Sequence, residues 1–333
     1  MQESVLDDLD LRLIHAVQIA PRAPWAALAP VLDADPVTLA RRWARLSGEG
    51  LVYVTGYEGL SPTKVMALIE IECPPQLTLD VAEELCREPG AVTIDVTAGG
   101  RDLIVTLGLA DAAALSTWTL ERVRSLEGIR SLRTHPVAGS VADARTWRLR
   151  ALTKDEAAAV EAADPLRSVR RPRLSDEQYR TLKVMLAADG RVPAPTIADR
   201  LGISARRARD AIAALRADGQ LVIRVDVARS YTPWPTYAWY FLRVPAPLVT
   251  KVGPALSRIE EVRLVVNAVG QYNVIMAVWL RTLADIGRLE AMIEERLPGV
   301  TIADRSLVLR TIKHLGHLLD ERGHATGETV PLP

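Results

Sequence analysis

The chain is poor in the residues that staple small secreted folds or mark membrane spans. It has two cysteines, Cys73 and Cys86, too few for a disulfide framework, which fits a reducing, cytoplasmic setting. No apolar run approaches the roughly 20 residues that cross a bilayer, so no membrane partner is expected. The acidic stretch MQESVLDDLDLRLIHAV lacks the basic region and apolar core of a signal peptide. Glycine-rich phosphate loops, paired catalytic carboxylates and nucleophile–base arrangements are also missing, so neither catalysis nor a cofactor is expected. Nor is there a surplus of either charge: 41 Lys+Arg balance 41 Asp+Glu, which on its face disfavours a nucleic-acid partner. Seven tryptophans stand against one phenylalanine. What is present is globular in character, 49% hydrophobic and 25% charged over 333 residues, enough for roughly two to four domains.

The sequence repeats itself. LDDLDLRLIHAV from Leu6 returns in pattern as LSDEQYRTLKVM from Leu174, and ARRWARLSGEGLV, ending at Val52, returns as ARDAIAALRADGQLV, ending at Val222. AVTIDVTAGGRDLIVTLGLADAAAL from Ala91 matches EVRLVVNAVGQYNVIMAVWLRTLADI from Glu261. Pairing Gly100 with Gly270 gives an offset of 170, as does pairing Val52 with Val222; a near-constant offset over separated blocks indicates a duplicated unit.

Each copy opens with three helices and a hairpin, a small wing. Amphipathic spacing predicts helices near 7–18, 25–32 and 36–47, with Asp35 as N-cap and Pro36 at the first turn, then near 176–187, 196–201 and 205–217, with Ser204 as N-cap. Leu221–Val227 alternates as a strand. Each copy continues as β-α-β-β-α-β, predicted in copy one at 65–72, 78–87, 91–97, 103–109, 111–125 and 129–134, and in copy two from Tyr237 to about Arg310. That order is the ferredoxin-like split βαβ sandwich, so the fold class is α+β, a duplicated winged helix-turn-helix followed by a ferredoxin-like βαββαβ domain. The expected domains are 1–60, 61–150, a linker at 151–172, 173–232, 233–325 and a tail at 326–333. Within the linker, PLRSVRRPR is expected to be exposed.

The third helix of each copy carries the chemistry. Around an apolar face of Leu39, Trp43 and Leu46, the first displays Thr38, Arg41, Arg42 and Arg45. Around Ala208, Ile212 and Leu215, the second displays Ser204, Arg206, Arg207 and Arg209, with Arg216 on its flank. Arginine forks suit guanine edges and phosphate oxygens. A solvated basic face is the competing reading; two such helices after helix-turn-helix spacing favour DNA. Charge by segment supports this: residues 165–232 hold 14 Lys+Arg and 7 Asp+Glu, a net of +7, whereas residues 1–59 come to −3. The second copy is therefore the expected grip. Trp25 and Trp43 are expected to fill the first trihelical core. His314, His317 and Asp320 lie at helical spacing on an expected C-terminal helix, RTIKHLGHLLDERG, where packing is preferred over metal binding.

The pattern LDDLDLRLIHAVQ…LAPVL…DPVTLARRWARLSGEGLV resembles the DNA-binding domain of Lrp/AsnC (feast/famine) transcriptional regulators, and the βαββαβ unit resembles their effector-sensing and dimerising domain. The Gly-x-x-Asp signature of that family stands as Gly99-Gly100-Arg101-Asp102 and, in copy two, as Gly270-Gln271-Tyr272-Asn273. The resemblance implies a regulator of transcription that binds double-stranded DNA and a small molecule such as an amino acid, the candidate contacts being Gly100, Asp102, Gly270, Tyr272 and Asn273, with further homo-oligomerisation. For Asp102 a turn-capping role competes. Asp33-Ala34 replaces the glycine common in the first helix-turn-helix turn, which suggests a looser turn. Asn273 replaces the signature Asp. Two fused units imply a pseudo-dimer with unequal half-sites about one helical turn apart, roughly 34 Å. Siroheme decarboxylases resemble the same architecture and form the alternative; they need basic and His residues around a porphyrin pocket, and this chain has five His. A protein-interaction module with degenerate helix-turn-helix units is a third reading.

Overall fold

The computed structural model describes residues 6–59, 64–166 and 169–332. The first five residues of the acidic stretch, the expected boundary near 60, residues 167–168 of the linker and residue 333 of the tail lie outside the described residues. Copy one runs α1 (Asp8–Ile19), α2 (Trp25–Leu32), α3 (Pro36–Gly48), β1 (Val52–Tyr57), β2 (Val65–Glu72), α4 (Thr78–Cys86), β3 (Ala91–Ala98), β4 (Leu103–Leu109), α5 (Ala112–Thr117) and β5 (Ser131–Ala142). Helix α6 (Lys154–Glu161) follows, then α7 (Asp176–Ala188), α8 (Ala194–Leu201), α9 (Ala205–Ala217), β6 (Val222–Val227), β7 (Thr236–Arg243), α10 (Val249–Leu256), β8 (Val262–Ala268), β9 (Val274–Leu280), α11 (Asp285–Arg296), β10 (Thr301–His314), β11 (His317–Leu319) and β12 (Ala325–Thr329). These elements sort into two compact units, one holding both trihelical domains and the other both βαββαβ domains.

In the trihelical unit the expected wings are not hairpins. Each copy supplies one strand, and β1 and β6 pair with each other antiparallel from Val52↔Val227 to Tyr57↔Val222. A lone strand leaves half its backbone groups without partners, so the cross-copy ladder satisfies what a local hairpin would have satisfied. Helix α7 packs on β1 and α1 on β6, and Gly56 permits this closeness, since a Cβ there would lie 2.8 Å from the Leu186 carbonyl oxygen. Two arginines are exchanged. Arg22 donates to the carbonyls of Gly190 (2.5 Å) and Val192 (2.9 Å), and Arg191 donates to those of Pro21 (2.6 Å) and Ala23 (3.1 Å). Arg191 also lies over Trp25, 4.1 Å from the ring centroid, and over Trp43 at 5.6 Å. Both tryptophans thus receive a cation from the other copy; Trp43 is buried as expected, whereas Trp25 is only half-buried, and burial pushes Arg191 down to about 10.

The expected linker belongs to this unit. His15 Nδ1 accepts from the Leu152 N–H at 2.9 Å, Gln18 Oε1 accepts from Leu149, and Arg12 meets Glu156 at 2.7 Å. Asp164 takes the Arg216 fork with both contacts at 2.9 Å and the Arg22 N–H at 3.1 Å. The α2–α3 turn of copy one is not looser. Asp33 adopts the left-handed conformation (φ 49°) and donates its N–H to Ala29, as Gly202 (φ 65°) does to Ala198.

In the second unit each domain forms a four-stranded antiparallel sheet, β3-β4-β2-β5 and β8-β9-β7-β10. The last strand of each is long and serves both sheets: β5 pairs with β2 up to Pro136 and with β8 from Val137, while β10 pairs with β7 up to Leu307 and with β3 beyond. The eight strands therefore close without a free edge. Alternation assigns the faces: Ala67, Ile69 and Ile71 pack under the helices of copy one, whereas Leu68 joins Ile104, Trp239, Phe241 and Val266 between the sheets. Cys73 and Cys86 are buried, and burial raises both thiols to about 11. The helix expected over 111–125 passes into a π turn at Trp118–Arg122 and a 3-10 turn at Val123–Ser125. The expected C-terminal helix is instead a hairpin. Leu315 and Gly316 both have positive φ, and they place His314 opposite His317 in the β10–β11 ladder, the geometry of a two-residue turn matched to strand twist. Among the described residues no group of three His, Cys, Asp or Glu is placed to hold a metal.

Candidate nucleic-acid interface and sensing core

Helices α3 and α9 are built alike. Each has thirteen residues; Asp35 accepts from the N–H groups of Val37 and Thr38, and Ser204 accepts from that of Arg207. Their buried residues correspond in order, Leu39 with Ala208, Trp43 with Ile212 and Leu46 with Leu215. Aligned on these caps, the arginines do not coincide. Arg206, Arg207 and Arg209 occupy the first two turns of α9, where copy one has Val37, Thr38 and Ala40; the positions of Arg42 and Arg45 are held in α9 by Ala211 and Ala214, both buried.

That phase difference decides what each arginine does. Arg42 donates to Asp7 at 2.6 Å and to Asp10 at 2.9 Å, and Arg45 donates to Asp10 at 2.6 Å and to Glu49 at 3.2 Å. The pairing with Asp7 and Asp10 raises Arg42 above its ordinary value, against the pull of burial. Asp7 and Asp10 form the capping box of α1; in copy two the box is Ser175 and Gln178, which carry no charge. Arg41 is exposed, as are Arg206, Arg207 and Arg209. The Arg206 side chain is 87% exposed and meets Asp210 only at 3.9 Å, while Arg207 donates to the Arg173 carbonyl at 2.5 Å. Of the eight sequence candidates, Arg206, Arg207, Arg209 and Arg41 are thus presented outward, Thr38 is half-buried, Ser204 is a cap, and Arg42 and Arg45 brace α3 against α1.

The signature loops lie in the other unit. Their equivalence is Gly99 with Gly270, an offset of 171 rather than the Gly100–Gly270 pairing, since both take positive φ (123° and 152°). Asp102 accepts from the Cys73 N–H at 2.7 Å. Asn273 accepts from the Val244 N–H at 2.9 Å and donates to its carbonyl at 2.7 Å. Both signature side chains therefore pin the backbone that follows β2 or β7, so the replacement of Asp by Asn preserves a structural role. Tyr272 is buried against His135 (5.7 Å between ring centroids) and Phe241 (5.1 Å). Gly100 and Gly270 remain exposed.

Between the sheets lies a polar cluster that the sequence reading did not single out. Glu70 accepts from His135 Nε2 at 2.6 Å and from Arg101 Nε at 2.7 Å; Arg101 also reaches Ser306 Oγ and Asp304 Oδ2, each at 2.6 Å. Its guanidinium lies over Phe241, 4.1 Å from the centroid. Burial alone would raise the Glu70 carboxyl, but the His135 hydrogen bond and the Arg101 charge outweigh it and hold Glu70 below its usual range. Gly270 abuts His135, where a Cβ would come within 2.8 Å of Nδ1. The visible signal was Glu70, set between two isoleucines of the apolar strand VMALIEIE, and an Arg within Gly-Gly-Arg-Asp.

Comparison with known proteins agrees with this geometry. Residues 6–47 match the AsnC-type helix-turn-helix domain and residues 66–147 the Lrp/AsnC ligand binding domain. An uncharacterized HTH-type transcriptional regulator of Pyrococcus abyssi is 25% identical over 138 residues, 39% of this chain and 84% of the relative. The HTH-type transcriptional regulator LysM of Saccharolobus solfataricus is 20% identical over 39% of this chain and 91% of its own length. Over nearly the whole chain the fold is similar to that of the siroheme decarboxylase NirDL, with a TM-score of 0.59, 16% identity and coverage of 92% of this chain and 93% of that one. No helix among the described residues is long and apolar enough to cross a membrane. The first copy thus carries the two domains that make up Lrp/AsnC regulators, an AsnC-type helix-turn-helix domain followed by an Lrp/AsnC ligand binding domain.

Proposed function

We propose that the chain is a non-enzymatic transcriptional regulator that grips double-stranded DNA through its paired trihelical domains and senses a small molecule, such as an amino acid, through its paired βαββαβ domains. The observation that carries the DNA reading is the exposed arginine face of α9, within a segment of net charge +7. The β1–β6 ladder and the exchanged arginines hold both readers in one unit, which suits two half-sites at a fixed spacing. Because Asp102, Tyr272 and Asn273 are engaged in the fold, an effector would meet the signature loops through the exposed backbone around Gly99–Gly100 and Gly270–Gln271.

Selection of genomic fragments by the full chain, with and without amino acids, followed by titration across salt, tests this. Binding should weaken linearly in log salt, with a slope of about 0.9 per phosphate contact. A chain that retains no DNA at low salt contradicts the proposal. The whole-chain likeness to NirDL favours a second reading, a tetrapyrrole enzyme on the same architecture. Against it, His15 and His135 are buried and hydrogen-bonded to protein groups. A shifted Soret band on adding an iron porphyrin would support the second reading; an unshifted band removes it.

A further inference from the structure

Resting on the DNA reading, we infer that the two recognition helices read different base chemistry: α3 seeks thymine methyl groups through Val37 and Thr38, and α9 seeks guanine through Arg206 and Arg209. The cap alignment places Val37 and Thr38 where Arg206 and Arg207 stand. Val37 is 76% exposed, the most exposed large hydrophobic residue among those described. Thr38, half-buried beside Val37, carries a methyl group as well as a hydroxyl. An isopropyl group can neither donate nor accept a hydrogen bond, and the thymine C5-methyl is the apolar feature of the major-groove edge. Of the three arginines of α3, Arg42 and Arg45 are tied to Asp7 and Asp10, and Arg41 stays exposed. On α9 the side chains at the same helical positions are exposed guanidinium groups, the forks that match guanine O6 and N7.

The test uses the full chain and the duplex it selects from a random pool. The selected site should have one half rich in thymine and the other in guanine. Replacing the contacted thymines by deoxyuracil removes only methyl groups and should weaken binding about fourfold per methyl lost; in Val37→Ser, an exposed substitution, that penalty should shrink. Replacing the contacted guanines by 7-deazaguanine should weaken binding about tenfold, and that penalty should vanish in Arg206→Ala/Arg209→Ala. Binding with no uracil penalty, or with a penalty that Val37→Ser leaves unchanged, overturns the inference while the DNA reading stands. Failure of the unaltered chain to bind any duplex overturns both.

Discussion

Where the two copies meet, equivalent positions match in the exchanged Arg22 and Arg191 but differ at the recognition helices and in the inter-sheet cluster. In the trihelical unit, α9 offers arginines at the positions where α3 offers Val37 and Thr38, and the charged capping box of α1 corresponds to a neutral one on α7. In the sheet unit the registers β2–β5 and β7–β10 relate Glu70 to Phe241 and His135 to Ser306, and the β3–β4 and β8–β9 loops relate Arg101 to Tyr272. The copy-one side of the inter-sheet cluster carries Glu70, Arg101 and His135 and the copy-two side Phe241, Tyr272, Ser306 and Asp304, and they touch: Arg101 over Phe241, His135 beside Tyr272, Arg101 on Ser306 and Asp304. A symmetric dimer of one sequence could not hold these arrangements, because every position would occur twice across the axis. Fusion in one chain permits division of labour.

The largest effect is expected where the charged half is broken. Arg101→Leu leaves buried Glu70 without its guanidinium partner and the part-exposed Asp304 unpaired, and breaking a buried pair costs about 3–5 kcal/mol. Tyr272→Phe, at the equivalent position, should cost less than about 1 kcal/mol. Denaturant melts of both variants measure the difference, and equal losses would remove the asymmetry from this unit.

A smaller effect separates the two first helices. His15 is buried, and burial lowers its imidazole to about 4; its counterpart in copy two is Lys183, an exposed lysine paired with Glu58. The unfolded chain then binds this proton more tightly than the folded one. The His15 contribution is therefore fully present above pH 6.5 and is lost as pH falls toward 4, by roughly 3 kcal/mol. Stability measured between pH 7 and 4 should fall less steeply in His15→Asn than in the unaltered chain; parallel curves would contradict the assignment. Smallest is the turn before each recognition helix. Asp33 holds a left-handed conformation that Gly202 adopts without a Cβ, so Asp33→Gly should stabilise by about 0.5–1 kcal/mol. A loss of stability would mean that the Asp33 side chain contributes more than its backbone conformation costs.

Much of this architecture was legible in residue pattern. The predicted limits of α2, α9, β2 and β4 coincide with the observed ones, because amphipathic period, caps and alternation act locally. Long-range pairing was not legible: single strands β1 and β6 read as wings because nothing local tells a strand which partner it will find. The segment RTIKHLGHLL fits helical spacing for its histidines, yet its β-branched residues and Leu-Gly turn make a hairpin once β3 offers an edge. The arginines of α3 and α9 looked equivalent by composition. Counting from Asp35 and Ser204 shows that they are not, a signal present in the sequence that becomes decisive once Asp7 and Asp10 are seen beneath Arg42 and Arg45.

The division of labour between the readers is tested most directly by DNA affinity of the full chain as a function of salt, for the unaltered protein, Arg206→Ala/Arg209→Ala and Arg42→Ala/Arg45→Ala. Losing the α9 pair should weaken binding at every salt concentration and lower the salt slope by up to about 2. Losing the α3 pair should leave the slope unchanged and instead reduce stability by about 1–3 kcal/mol, since the buried Asp10 carboxylate loses its partners. Equal loss of affinity and slope in both variants would contradict the account.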